Sequence, residues 1–133
     1  MKYSKATNYA LHIMVHLAVT SPNRRVGVQQ LAEQLDLSRT YLSKILTKLV
    51  KGGMIESCPG ANGGYKLNAE WGNISFLDVI HAIEGTTSLF EGCMNNDPDC
   101  MIQKVMFSAE KQMEEELRHK KISEIAKKLT VVS

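Results

Sequence analysis

Leu31-Ala32-Glu33-Gln34-Leu35-Asp36-Leu37-Ser38-Arg39-Thr40-Tyr41-Leu42-Ser43-Lys44-Ile45-Leu46 holds parts of two amphipathic helices and the break between them. Apolar residues recur at helical spacing at Val28, Leu31, Ala32 and Leu35, then at Tyr41, Leu42, Ile45, Leu46, Leu49 and Val50. Asp36-Leu37-Ser38 separates the two sets, and Ser38 is suited to accept from the unpaired N–H groups that open the second helix. Gly52-Gly53 ends that helix. Two short helices joined this tightly predict a helix-turn-helix.

Upstream, Ala6, Ala10, Ile13, Met14, Leu17 and Ala18 mark one face of a helix that Ser21-Pro22-Asn23 stops. Downstream, Met54-Ile55-Glu56-Ser57 and Gly64-Tyr65-Lys66-Leu67 read as short strands. The run Pro59-Gly60-Ala61-Asn62-Gly63-Gly64 between them makes a hairpin with a projecting tip, a wing. Ser75 opens a fourth helix with Phe76, Val79, Ile80 and Ile83 on its apolar face, and a cysteine-bearing loop follows from Thr86 to about Asp99. Met101, Ile102, Val105, Met106, Ala109, Met113 and Leu117 then trace a stripe along a helix about 28 Å long. Ile122, Ile125, Ala126 and Leu129 mark a short last helix. Lys104, Glu110, Lys111 and Glu114-Glu115-Glu116 flank the stripe, so it is narrow, like a coiled-coil seam, and predicts a homodimer.

The predicted fold is therefore mainly α with a small β-hairpin wing. Residues 1–70 form a winged helix-turn-helix whose first helix is shared with the dimer core. Residues 71–133 carry the sensor loop and the dimerisation helices.

Composition agrees with a globular chain: 44% of its 133 residues are hydrophobic and 23% charged. No window offers the roughly eighteen apolar residues of a membrane span, so no membrane partner is expected. Met1-Lys2-Tyr3-Ser4-Lys5 leads into an amphipathic stretch holding His12 and His16, unlike a secretion signal. Three cysteines, Cys58, Cys93 and Cys100, are too few and odd in number for a secreted disulfide framework. A cytoplasmic protein is expected. The net charge of +2 conceals an asymmetry: residues 1–68 carry nine bases and three acids, the remainder seven bases and eleven acids. A basic front half suits a polyanion.

The exposed side chains at the start of the third helix assign its contacts with duplex DNA. Arg39 can fork onto guanine O6 and N7, and Thr40 and Ser43 can bond to a base or a phosphate. Lys44, Lys48 and Lys51 suit phosphates, which supply affinity and salt dependence but no sequence information. At the wing, Asn62, Gly63 and Gly64 let backbone approach phosphate. The competing reading is a winged helix that packs on other proteins and never touches DNA.

The helix-turn-helix run, with Leu49-Val50-Lys51-Gly52-Gly53-Met54-Ile55, Gly63-Gly64-Tyr65-Lys66-Leu67, Thr7-Asn8-Tyr9-Ala10-Leu11 and Gly92-Cys93, resembles the Rrf-two family of bacterial winged-helix regulators. The resemblance covers nearly the whole chain. It implies a homodimeric transcriptional regulator, usually a repressor, bound to an inverted-repeat operator, with an effector site in the loop before the dimerisation helix. Members that bind an iron–sulfur cluster place three cysteines there, with a fourth ligand from a histidine or from an acid on the partner's first helix.

This chain departs from that pattern. It has Cys93 and Cys100, and Val105-Met106-Phe107 near the third place. Asn8 replaces the acid, with His12 one turn on, and Pro59 stands where several relatives carry a wing arginine.

Three readings of the two cysteines stay open: an iron–sulfur cluster completed by Asp97, Asp99 or the partner's His12, a disulfide switch, or an inert remnant. Cys100, just before the long helix, is expected to be the more reactive thiol, because the helix N-terminus favours thiolate. A small thiol or metal enzyme using Cys93, Cys100 and His12 is the rival from another class. Against it, the chain has no Cys-x-x-Cys, no Ser–His–Asp set and no glycine loop leading into a helix.

Overall fold

Serine caps and left-handed turns set the helix boundaries in the computed structural model, which describes residues 3–132. Met1, Lys2 and Ser133, at the outer ends of the two expected units, lie outside the described residues. Helix α1 (Lys5–Thr20) is capped by Ser4, whose hydroxyl accepts from Thr7 N–H at 3.3 Å. It buries Thr7, Ala10, Ile13, Met14, Leu17 and Ala18. Helices α2 (Val28–Leu35) and α3 (Arg39–Lys51) enclose the expected break. There Asp36 takes a left-handed conformation (φ 54°), and Leu37 N–H returns to the Ala32 carbonyl at 3.0 Å. Ser38 caps α3 through Tyr41 N–H at 3.2 Å.

Strands β1 (Ile55–Cys58) and β2 (Gly64–Leu67) pair antiparallel, with Ile55 opposite Leu67 and Cys58 opposite Gly64. A third segment joins them: Val26 and Tyr65 exchange both backbone hydrogen bonds, at 2.8 and 2.9 Å. After a single 3-10 turn at Trp71–Asn73 comes helix α4 (Phe76–Glu84), opened by a capping box in which Ser75 and Asp78 each bond the other's backbone. The apolar face of α4 is centred on Leu77, Val79, Ile80 and Ile83, while Phe76 is only half-buried. Phe76, on the predicted stripe, packs against the core cluster, and Leu77 beside it is buried as well. Apolar neighbours on both sides leave such a helix ambiguous from spacing alone.

Helices α5 (Met101–Arg118) and α6 (Ile122–Val132) complete the chain. One hydrophobic cluster runs from Ala10, Met14 and Leu17 on α1 through Leu42, Ile45 and Leu49 on α3 to Val79 on α4 and Ile122 and Ala126 on α6. Residues of both expected units thus share a core. Among the described residues, no helix is long and apolar enough to cross a membrane.

Helix α5 stands apart from that cluster, and none of its residues is buried. One side of it is held by the preceding loop. Glu110 accepts from Ser88 Oγ at 2.5 Å and Leu89 N–H at 2.7 Å, and Phe107 meets Phe90 edge-on with ring centres 5.6 Å apart. The predicted stripe is accordingly divided. Met106, Ala109 and Met113 line a hollow with Leu89 and Phe90, whereas Met101, Ile102 and Val105 are 70%, 68% and 63% exposed.

Candidate nucleic-acid interface and cysteine loop

Helix α3 turns Leu42, Ile45, Leu46 and Leu49 into the core and leaves Arg39, Thr40, Lys44, Thr47, Lys48 and Lys51 exposed, with Ser43 half-buried. Arg39 and Thr40 directly follow the Ser38 cap, at the end of the helix that reaches base edges when such a helix enters the major groove. Tyr41 is half-buried and meets Tyr9 edge-on at 5.8 Å.

Lys48 differs from the other basic residues of α3. Its ammonium donates to the Ile83 carbonyl at 3.4 Å and lies close enough to Glu84 to help hold that carboxyl below its ordinary value. It therefore caps the C-terminus of α4, where the helix dipole favours a cation. Thr47, which the sequence reading passed over, shares the exposed face of Thr40, Lys44 and Lys51. The available signal was its place four residues after Ser43 and three after Lys44.

Glu84 itself ties α4 to the start of α1. Its carboxylate accepts from Thr7 Oγ1 at 2.5 Å and from Ser4 N–H and Oγ at 2.7 and 3.0 Å. The Thr7 bond leads in lowering its pKa, followed by the Ser4 N–H.

The wing glycines have a structural reason beyond phosphate access. A Cβ at Gly63 would strike the Cys58 carbonyl oxygen, and one at Gly64 would strike that of Val26, where φ is also +141°. They keep the hairpin closed and let the Val26 segment approach it. Asn62 is exposed at the tip, and its carbonyl accepts from Arg25 Nη1 at 3.4 Å. Arg25 thus brings an exposed guanidinium to a wing whose own Pro59 offers no charge. Its position depends on the non-local Val26–Tyr65 bridge, which local periodicity does not announce.

The cysteine loop folds back on itself. Gly92 and Asn96 take positive φ (107° and 53°), Asn96 N–H donates to the Cys93 carbonyl, and Cys100 N–H to the Asp97 carbonyl, both at 3.1 Å. Cys93 N–H donates to Gln103 Oε1 at 2.7 Å, which fixes it to the first turns of α5. Both cysteines line an open cavity of about 590 Å³ with Leu89, Phe90, Met94 and Ile102. Backbone N–H groups of Asp97 and Asn95, and then the Cys100 thiol, hold the Cys93 thiol below its ordinary value. Cys100 is the N-cap of α5 and its side chain makes no capping bond, while the loop's turns aim their N–H groups at Cys93.

An iron–sulfur cluster takes about four protein ligands, typically thiolates. This loop supplies two, and among the described residues no three His, Cys, Asp or Glu side chains gather as a metal site. Within one chain His12 lies apart from the cysteines. Its Nδ1 pairs with the Asn8 carbonyl at 2.8 Å, and it borders a separate groove of about 550 Å³ lined by Val15, Val19, Phe76 and Leu129. The residues of one chain do not fit a cluster.

Comparison with known proteins matches this arrangement. The Rrf2 family model, described as an iron-dependent transcriptional regulator, matches residues 3–128. The chain is 41% identical over 91 residues to YffB of Lactococcus lactis, named as an HTH-type transcriptional regulator; the match covers 68% of this chain and 58% of that protein. It is 33% identical over 98 residues to the HTH-type transcriptional regulator CymR of Bacillus subtilis, covering 74% and 71%. The structure of CymR, titled the global cysteine regulator of B. subtilis, superposes with a TM-score of 0.78 at 27% identity, covering 96% of this chain and 97% of that one. A helix-turn-helix with a wing, a cysteine loop and a long exposed helix, matched along nearly its whole length, means that the chain belongs to the Rrf2 family of transcriptional regulators.

Proposed function

We propose that the chain acts as a homodimer that reads an inverted-repeat DNA operator and alters its grip when the Cys93–Cys100 loop changes chemically. The observation that carries this reading is the exposed face of α3, with Arg39, Thr40, Lys44, Thr47 and Lys51 beside a wing that bears Arg25. Arg39 reads a base and Thr40 or Ser43 assists; Lys44 and Lys51 anchor phosphates, and Asn62 with Arg25 meets the backbone at the wing. Gly63 and Gly64 shape that wing. Reading lies in residues 1–70, and sensing and assembly in residues 71–133. Duplex DNA as the partner puts its work in the cytoplasm.

Dimerisation is supported by the apolar side chains Met101, Ile102 and Val105, which stay largely exposed. A second support is the apolar groove between α1, α4 and α6, since an exposed stripe and an exposed groove on one chain are what twofold exchange requires. The recognition helices would then meet successive major grooves about 34–36 Å apart, or a multiple of that.

The test is retention of a duplex library at rising salt, followed by sequencing of the bound fraction. Steep salt dependence and enrichment of an inverted repeat are expected. Arg39→Ala should relax preference at one base position and weaken the cognate site by about 1–3 kcal/mol. Absence of salt-dependent retention on any duplex would mean an interaction module rather than a DNA reader.

A further inference from the structure

We propose that Cys93 and Cys100 are a dithiol–disulfide pair oxidised by an alkyl hydroperoxide, with Cys93 the attacking sulfur and Cys100 the resolving one; this rests on the proposed role of the loop as the signal-receiving segment. Four observations carry it. Two successive turns, closed by Asn96 N–H on Cys93 and Cys100 N–H on Asp97, return the chain so that both cysteines line the same cavity. Both thiols border an open cavity, so an oxidant can reach them. Leu89, Phe90 and Met94 give that cavity an apolar lining, which suits the organic group of an alkyl hydroperoxide better than a small polar oxidant. Among the described residues of one chain, no third thiol or imidazole joins the pair, so the two sulfurs are left to each other within the chain.

The surrounding polar groups suit the same division of labour. Turn N–H groups converge on Cys93 and stabilise its thiolate, the reactive form. Cys93 thiolate attacks the terminal oxygen of the hydroperoxide; the O–O bond breaks, and the alkoxide leaves as the alcohol after taking a proton from water. Cys93 is then a sulfenic acid. The Cys100 sulfur attacks it, the S–O bond breaks, hydroxide leaves as water with the Cys100 proton, and the S–S bond forms. Two thiols have lost two electrons and two protons, and the peroxide has become alcohol and water. Cys93 is fixed to Gln103, and Cys100 is the N-cap of α5, so the new bond pulls on the first turns of the helix that exposes Met101, Ile102 and Val105.

The sequence makes the test clean. No Lys or Arg lies between Leu67 and Gln103, so trypsin releases Cys93 and Cys100 on the single peptide 67–104 and Cys58 on 52–66. The reduced full chain is treated with cumene hydroperoxide, blocked with iodoacetamide and digested. The expected result is that peptide 67–104 loses two hydrogens and both alkylation sites while Cys58 stays alkylated. Oxidation should be severalfold faster than with hydrogen peroxide, relative to Cys58. Cys100→Ser should trap a sulfenic acid on Cys93 with dimedone, and Cys93→Ser should trap none on Cys100. A fully alkylated peptide, a link to peptide 52–66 or to a second copy, or the reversed trapping pattern overturns the proposal. So does iron–sulfide reconstitution giving visible absorption that either serine variant abolishes.

Duplex retention measured on the same samples separates the two claims. A chain that forms the disulfide but never holds DNA refutes the DNA-reading function alone. One that holds DNA but forms no disulfide refutes the thiol assignment alone. Equal retention before and after disulfide formation refutes the loop's role as the signal-receiving segment.

Discussion

Val105→Glu separates the stability of the single chain from that of its dimer. Val105 is 63% exposed, so a glutamate there meets water in the monomer and should change its folding stability by no more than about 0.5 kcal/mol. In a twofold seam the same position occurs twice. Fully burying a valine contributes about 1.5–3 kcal/mol, and roughly two-thirds of that remains to be gained on association. Two copies therefore lose about 2–4 kcal/mol of association energy, before any penalty for burying carboxylates. The dissociation constant should rise by about thirtyfold to a thousandfold or more. Sedimentation equilibrium at micromolar concentrations reads the association, and thermal unfolding of the dilute chain reads the fold. Lys111→Glu, on the exposed flank of the same helix, should leave both nearly unchanged. An unaltered dimer in Val105→Glu, or a melting point lowered by more than about 5 °C in the dilute monomer, would refute the placement of this residue in the seam.

Other substitutions test the remaining assignments. Arg25→Ala should weaken binding most on sites with A·T-rich flanks, where a narrow minor groove attracts guanidinium, and a uniform loss across flanks would assign it to phosphate alone. Lys44→Ala should flatten the salt slope of DNA binding by about one unit, whereas Lys48→Met should leave the slope unchanged and lower the melting point, because its ammonium serves the Ile83 carbonyl. Glu84→Gln should destabilise the chain by about 1–2 kcal/mol at neutral pH by weakening the bonds from Thr7 and Ser4. Glu84 is held below its ordinary value of 4.5, so its contribution is full above that pH and is lost as pH falls through the lower folded value. Urea titrations of wild type and variant should therefore diverge above pH 5 and converge in acid, and a gap that persists at low pH would contradict this.

The helix boundaries were legible because their causes are local. Ser38 and Ser75 cap the helices they precede, and Gly52-Gly53 and Gly85 end the ones they follow, as spacing and turn chemistry predict. The exposed ends Arg39 and Thr40 follow from the same spacing. The bond from Lys48 to the Ile83 carbonyl was not legible, because that partner is 35 positions away and belongs to the backbone. Arg25 reaches the wing through the isolated Val26–Tyr65 bridge, a pairing too short to show a strand period. In the cysteine loop, the turns that close on Cys93 and on Asp97 depend on a left-handed Asn96, which spacing does not announce. Charge counting gave the polarity of the two halves, yet a shared core joins them because α1 packs against elements made both early and late.

That last packing has a consequence for synthesis. The buried face of α1, with Ala10, Ile13, Met14 and Leu17, is closed partly by Ile122 and Ala126, more than a hundred residues later in the chain. Helix α6 is also stitched back to the start of α4, where Phe76 N–H donates to the Lys120 carbonyl at 2.8 Å and Ile122 N–H to the Ile74 carbonyl at 3.0 Å. A ribosome making this protein displays the helix-turn-helix well before the helix that covers its supporting mast has emerged. Until then α1 carries an uncovered apolar flank, the kind of surface that chaperones bind and that favours aggregation. Loop closure over so long a separation also slows the final step relative to the local helix pairs. A nascent fragment ending before Ile122 should therefore be a substrate for chaperones rather than a small working regulator.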